Sequence, residues 1–215
     1  MTRDPGDYGG QRANMEHDSM RRTLEAQAKA IWPKEKQLLE ARHGASLGRV
    51  LDLACGTGEI LHRIRRDFDC EQVVGVDLFA GHLQNAEPPV VHANGMQLPF
   101  ADETFDLVTV RHVLQALPDP VALLKEANRV LKPGGTIHAL AEDYMGLFFD
   151  TDDANTENHF PEVQPLFRPR GTDLYQGRRA LRHLREAGFD DIAVDPLLID
   201  NLTADRDALR DIFRH

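Results

Sequence analysis

The chain has 215 residues, 41% of them hydrophobic and 28% charged, which suits one globular domain with a sizeable core and excludes a fibrous or wholly disordered protein. Its 25 Lys and Arg against 35 Asp and Glu leave a formal net charge of −10, and no basic stripe marks a nucleic-acid binder. No apolar run reaches the ~18 residues of a membrane-spanning helix, the first residues lack a secretory signal, and two cysteines, Cys55 and Cys70, make neither a disulfide framework nor a four-thiolate zinc site. A cytoplasmic protein with no membrane or nucleic-acid partner and no metal is expected.

The opening residues, MTRDPGDYGG, read as a flexible lead. Met20, Leu24, Ala28 and Ile31 recur at helical spacing and predict a helix from about 12 to 31. Pro33 is expected to interrupt it, with a second short helix running to Gly44. From Arg49 short β-rich runs alternate with helical ones. The strands are VLDLA (50–54), QVVGVD (72–77), VVHA (90–93), FDLVTV (105–110) and TIHALA (136–141). Between them lie helical stretches holding Ile60, Leu61, Ile64 and Phe68, then residues 80–87, then about 120 to 131. KPGG (132–135) reads as a tight turn. Such alternation means βαβ units and a doubly wound, mostly parallel Rossmann-like sheet covered on both faces.

After Ala141 the rhythm breaks. Residues 142–162 hold seven acidic side chains and no Lys or Arg, then Pro161, Pro165 and Pro169 punctuate the chain. A connection that long reads as a substrate lid inserted over 142–173, and its carboxylates at 150–157 read as solvated. A helix near 174–187, a strand over 189–199 and a last helix from about Ala204 complete the prediction. Residues 1–47 form the expected N-terminal helical cap and 48–215 the main domain.

The segment VLDLACGTGE (50–59) places Gly56, Thr57 and Gly58 between a strand and a helix. Glycines there let a ligand approach the backbone at the carboxyl end of the sheet. Asp77, nineteen residues past Gly58 at the end of the next strand, can accept two hydrogen bonds from ribose hydroxyls. The combination points to a nucleoside-containing cofactor. A dinucleotide fingerprint needs a third glycine where Leu61 stands, and Asp52 would repel a pyrophosphate while suiting a ligand with positive charge. Neither Tyr144 nor Tyr175 is followed four residues later by Lys, and there is no Gly-Lys-Ser/Thr. Hydride transfer and P-loop chemistry therefore recede.

With VVGVDLFAGHLQNA (73–86), NGMQLPFADETFDLV (94–108), VLQALPDP (113–120) and RVLKPGG (129–135), the segment VLDLACGTGE resembles the class I S-adenosylmethionine-dependent methyltransferases. The likeness is to their small-molecule, type 11 or ubiquinone-biosynthesis-like group, over roughly 48–141. It implies S-adenosylmethionine as cofactor and S-adenosylhomocysteine as product. Asp52, Ala54, Cys55, Gly56 and Gly58 would then surround the methionine part, and Asp77 and Leu78 the ribose. Asn94, Gly95 and Met96 would face the adenine, with Arg111 and His112 beside the cofactor. Asn94 stands where the family usually has Asp, and its amide oxygen can still accept a bond from the adenine amino group. The family's seventh strand has no counterpart, as in a truncated or naturally shortened member.

Methyl transfer needs alignment and exclusion of water, and a hydroxyl or protonated amine acceptor also needs a general base. Glu142 and Tyr144, at the end of the fifth strand, and His159 are the catalytic candidates. Asp143, with Tyr8, Arg12 and Met15 from the cap, would contact substrate. Cys55 reads as a packing residue, since a sulfonium donor needs no enzyme thiolate. The expected activity is methylation of a small organic metabolite by a monomer or homodimer. The alternative is a non-catalytic, cofactor- or partner-binding descendant of the same fold.

Overall fold

The computed structural model describes residues 18–146 and 160–212. Tyr8, Arg12, Met15, His159 and the acidic run at 150–157 lie outside them. Five parallel strands form one sheet in the order β3-β2-β1-β4-β5. They are β1 (Ser46–Leu53), β2 (Asp69–Asp77), β3 (Val90–His92), β4 (Phe105–Arg111) and β5 (Leu131–Leu140). The helices are α1 (Asp18–His43), α2 (Glu59–Asp67), α3 (Ala80–Leu83), α4 (Pro120–Val130), α5 (Phe160–Phe167), α6 (Gln176–Glu186) and α7 (Arg206–Ile212).

Strand β1 lies at the centre, and its unbroken run of buried Val50, Leu51, Asp52 and Leu53 reflects helices on both faces. One face packs Leu51, Leu53 and Val108 with Leu124, Ala127 and Leu184 of α4 and α6. On the other, Val50 and Leu107 meet Trp32 and Leu39 of α1 and Ile60, Leu61 and Ile64 of α2. Helix α4 starts where Asp119 caps it, accepting the Ala122 N–H at 3.0 Å, with Pro120 in the first turn.

Four expectations need correction. Pro33 does not divide the first helix; α1 continues through it to His43. Proline removes one helical hydrogen bond, but Ala28, Trp32, Glu35 and Leu39 form a single buried stripe along that helix. The Trp32 indole also donates to Asp67 at 2.7 Å. Tertiary packing therefore outweighs the break. The helix expected over 80–87 shortens to α3, and the amides of Asn85 and Ala86 bond three residues back, to His82 and Leu83, in turns leading to Pro88. KPGG bulges out of β5 without ending it, because pairing with β4 jumps from Phe105 with Leu131 to Leu107 with Thr136.

The strand expected over 189–199 does not form; among the described residues the segment has no ladder, and β5 pairs with β4 alone. Its apolar residues do not share a buried face. Ile192 packs on the core, whereas Val194 and Leu198 are 69% and 72% exposed, and Asp191 has a φ of 49°. The segment instead joins α1 from outside, through Lys34 Nζ donating to the Leu198 carbonyl at 2.5 Å. Within the connection expected over 142–173, residues 160–167 form α5.

Helix α1 carries a proline in its interior at a cost that packing offsets. Pro33→Ala is expected to stabilise the protein by about 1–3 kcal/mol, measured as a higher urea midpoint at unchanged slope. A lower midpoint would mean that Pro33 sets a bend the packing requires.

Candidate functional site

The carboxyl ends of β1, β2 and β4 open onto a cleft enclosing about 1070 Å³ with the solvent at its mouth. That is where a parallel sheet leaves strand ends free of helices. Its floor is the turn from β1 into α2. Gly56, at φ 55°, would direct a Cβ to within 3.4 Å of the Leu24 side chain of α1, so the turn passes directly beneath that helix. Leu24 and Gln27 of α1 line the cleft's other wall. Phe79, Leu117 and Leu123 add apolar surface.

Asp77 locks this floor. One of its oxygens accepts the Gly56 N–H at 2.8 Å and the other the Phe79 N–H at 2.8 Å, tying the β1 turn to the end of β2. A carboxylate has about four lone-pair sites, so acceptor capacity is left toward the cleft. His82 lies against it with Nδ1 at 3.3 Å from Oδ1.

Asp52 is buried one strand over, and its Oδ1 accepts the Thr109 hydroxyl at 2.6 Å. Burial pushes its pKa up to about 6, although the Thr109 bond and the nearby Arg111 oppose the shift. A cation entering the cleft would favour its ionised form.

Arg111 is held from behind by a group that sequence reasoning missed. Glu35, wholly buried on α1, accepts Arg111 Nε at 2.7 Å and lies 3.0 Å from His138 Nε2 on β5. Burial alone would raise Glu35, but Arg111 and His138 outweigh it and hold its pKa down at about 2. The signal was present: Glu35 falls in the apolar stripe of α1, where a charge needs a partner.

Eleven of the twelve residues expected around a cofactor line the cleft: Asp52, Ala54, Cys55, Gly56, Asp77, Leu78, Asn94, Gly95, Met96, Arg111 and His112. Gly58 is not among them. At φ 83° its missing Cβ would stand 2.8 Å from the Cβ of Ala86, so its smallness serves packing between α2 and the turn after α3. Asn94 Oδ1 accepts the Met96 N–H at 3.0 Å, which uses one of its two lone pairs and shapes the turn. The Cys55 thiol is buried, and its pKa is pushed far up by burial beside Asp52 and Asp77, which leaves it inert as a nucleophile.

The β5 end is arranged differently from the expectation. Glu142 reaches back to His112 Nδ1. Asp143 turns to α6, where Arg178 grips it through two bonds of 2.6 and 2.9 Å, and it does not line the cleft. The Tyr144 phenol is pushed well above its ordinary range by burial, with the Glu142 carboxylate adding to the shift, which makes it a poor proton acceptor near neutrality.

The strand order and a cleft floored by a glycine turn between two buried carboxylates define a class, and the chain belongs to the class I S-adenosylmethionine-dependent methyltransferases. A family model described as a methyltransferase domain matches residues 51–139. A demethylmenaquinone methyltransferase of Geobacillus kaustophilus is 32% identical over 173 residues, 69% of this chain and 73% of that protein. Another, from Lactiplantibacillus plantarum, is 38% identical over 117 residues, 49% of each chain. The chain thus spans about half to three-quarters of the length of these relatives. The structure of Haemonchus contortus phosphoethanolamine N-methyltransferase 2 in complex with S-adenosyl-L-methionine superposes with a TM-score of 0.58 at 22% identity. It covers 76% of this chain and 38% of that one, and at that identity the likeness is one of fold.

Two stability changes follow. Gly58→Ala is expected to cost about 1–3 kcal/mol, from the positive φ and the contact with Ala86, read by urea denaturation. Asp52 binds its proton more tightly folded than unfolded, so it destabilises the native state increasingly as pH rises from about 4 to about 6. Asp52→Asn should therefore gain stability relative to the parent across that window and hold the gain above it. A difference that does not change with pH would contradict the buried, protonatable Asp52.

Proposed function

We propose that this chain transfers the methyl group of S-adenosylmethionine to a small organic metabolite and releases S-adenosylhomocysteine. The observation that carries the reading is the pair of buried carboxylates, Asp52 and Asp77, at the ends of adjacent strands on either side of Gly56. The donor combines a ribose diol, an adenine ring and a cationic amino-acid end. Each has a chemically suited counterpart in the cleft.

Asp77 holds the ribose hydroxyls through the acceptor capacity its two backbone bonds leave. Asp52 and the Gly56 turn receive the ammonium end, while Ala54 and Cys55 line the path. Leu78, Gly95 and Met96 flank the adenine, and the remaining lone pair of Asn94 Oδ1 accepts its amino group. Arg111 and His112 stand at the transfer side, with Glu142 behind them. When bound, S-adenosylmethionine supplies an electrophilic methyl on a sulfonium. The protein's part is to orient donor and acceptor, exclude water and take a proton from the acceptor. The relatives named as demethylmenaquinone methyltransferases support trying a soluble quinol such as naphthalene-1,4-diol as the first acceptor.

Calorimetric titration with S-adenosylmethionine and S-adenosylhomocysteine tests the reading. Micromolar affinity is expected, weakened at least tenfold in Asp77→Ala. Binding of the cationic donor should tighten as pH rises from about 5 to about 7, because Asp52, with Arg111, Glu35 and Asp77 as its charged neighbours, ionises in that range. No binding by the parent chain, or equal binding by Asp77→Ala, would overturn the assignment.

A further inference from the structure

His112 and Glu142 stand at the ends of neighbouring strands β4 and β5 and face each other. His112 Nδ1 contacts Glu142 Oε1. The imidazole side chain is 9% exposed, and its other nitrogen, Nε2, is buried with no hydrogen-bond partner. His112 also lines the cleft. A histidine whose Nδ1 is taken by a carboxylate carries its proton there, which leaves a lone pair on Nε2.

The backbone is committed to this placement. His112 sits at φ 53°, a region that side chains rarely adopt. It is pinned there by its own N–H to the Leu140 carbonyl at 3.1 Å and by Gln115 Nε2 donating to its carbonyl at 2.9 Å. Strain held by surrounding bonds at the mouth of a cleft is a feature of functional positions. The competing groups are occupied elsewhere: Arg111 by Glu35, Asp143 by Arg178, and the Tyr144 phenol holds its proton too tightly.

We propose that His112 is the general base of the methyl-transfer site and that Glu142 is its positioning residue, fixing the tautomer and the ring plane. This rests on the methyl-transfer reading above and narrows its acceptor to a weak acid, a phenolic, enolic or quinol hydroxyl. In the step assigned to it, the acceptor's O–H bond breaks and its proton forms an N–H bond at His112 Nε2. The electron pair stays on the acceptor, which becomes the nucleophile. The resulting imidazolium is stabilised by the Glu142 carboxylate and returns its proton to water after turnover.

The test has one readout that needs no acceptor and one that does. In nitrogen-15 spectra of the chain saturated with S-adenosylhomocysteine, the imidazole signal lost in His112→Asn should report a protonated Nδ1 and a bare Nε2. Asn tolerates the same backbone region, so that variant keeps the turn. Glu142→Gln should disturb this tautomer. With naphthalene-1,4-diol, His112→Asn and Glu142→Gln should each lower kcat about 10²–10⁴-fold, and Glu142→Gln, whose side chain does not line the cleft, should leave S-adenosylmethionine affinity within twofold of the parent. A proton on Nε2, or a tautomer indifferent to Glu142→Gln, overturns the dyad whatever the activity. An active parent with an equally active His112→Asn overturns the base and leaves the methyl-transfer reading standing. A parent that binds the donor but methylates no weak acid, while accepting amines or thiols, refutes the acceptor class.

Discussion

The hydrogen bond from the Gly56 amide to Asp77 joins the two halves of the site: the turn that follows β1 and the acid that ends β2. Without it the glycine turn is a loop with free amides. With it, the turn is tied to the end of β2, and the Asp77 carboxylate is held in the lining of the cleft. Asp52 adds the second constraint, a buried carboxyl whose ionisation is costly until a cation arrives. Both acids stand toward the carboxyl ends of strands in which buried Val and Leu precede them, so an apolar sheet presents two carboxylates at the cleft.

A second polar contact ties the N-terminal helix to the same edge. Glu35 of α1 meets Arg111 of β4 and His138 of β5 in the interior. Burying a carboxylate is unfavourable unless cations and hydrogen bonds compensate, and here two cationic or dipolar partners do so. The consequence is geometric. Arg111 is fixed from the back, its neighbour His112 is turned toward Glu142, and α1 is positioned so that Leu24 and Gln27 reach the cleft wall. Helix α1, β4 and β5 thus share one polar anchor.

The parallel sheet and the glycine turn were legible in the sequence because both depend on local patterns: apolar runs bounded by turns, and glycines next to a strand end. The same holds for Asp77, whose spacing from Gly58 reflects one βαβ unit. What the sequence hid depends on distant partners. Continuity through Pro33 comes from Trp32 meeting Asp67 across 35 residues. The segment 189–199 has strand-like composition, but among the described residues no strand pairs with it. Asp143 is bound to Arg178 of α6, and Glu142 is paired with His112 across thirty residues, so neither role could be read from position at the end of β5. Gly58 belonged to the right motif and faces Ala86 rather than the cleft, a distinction that spacing cannot make.

Asp77 as the ribose acceptor at the floor of this cleft is the central proposal. A crystal structure of the chain soaked or grown with S-adenosylhomocysteine tests that claim directly. Both ribose hydroxyls are expected within hydrogen-bond distance of the Asp77 carboxylate, with the amino-acid end over the Gly56 turn beside Asp52 and the Gly56–Asp77 bond intact. A cleft that stays empty at saturating ligand, or a ribose held by other residues while Asp77 bonds only to Gly56 and Phe79, would contradict it.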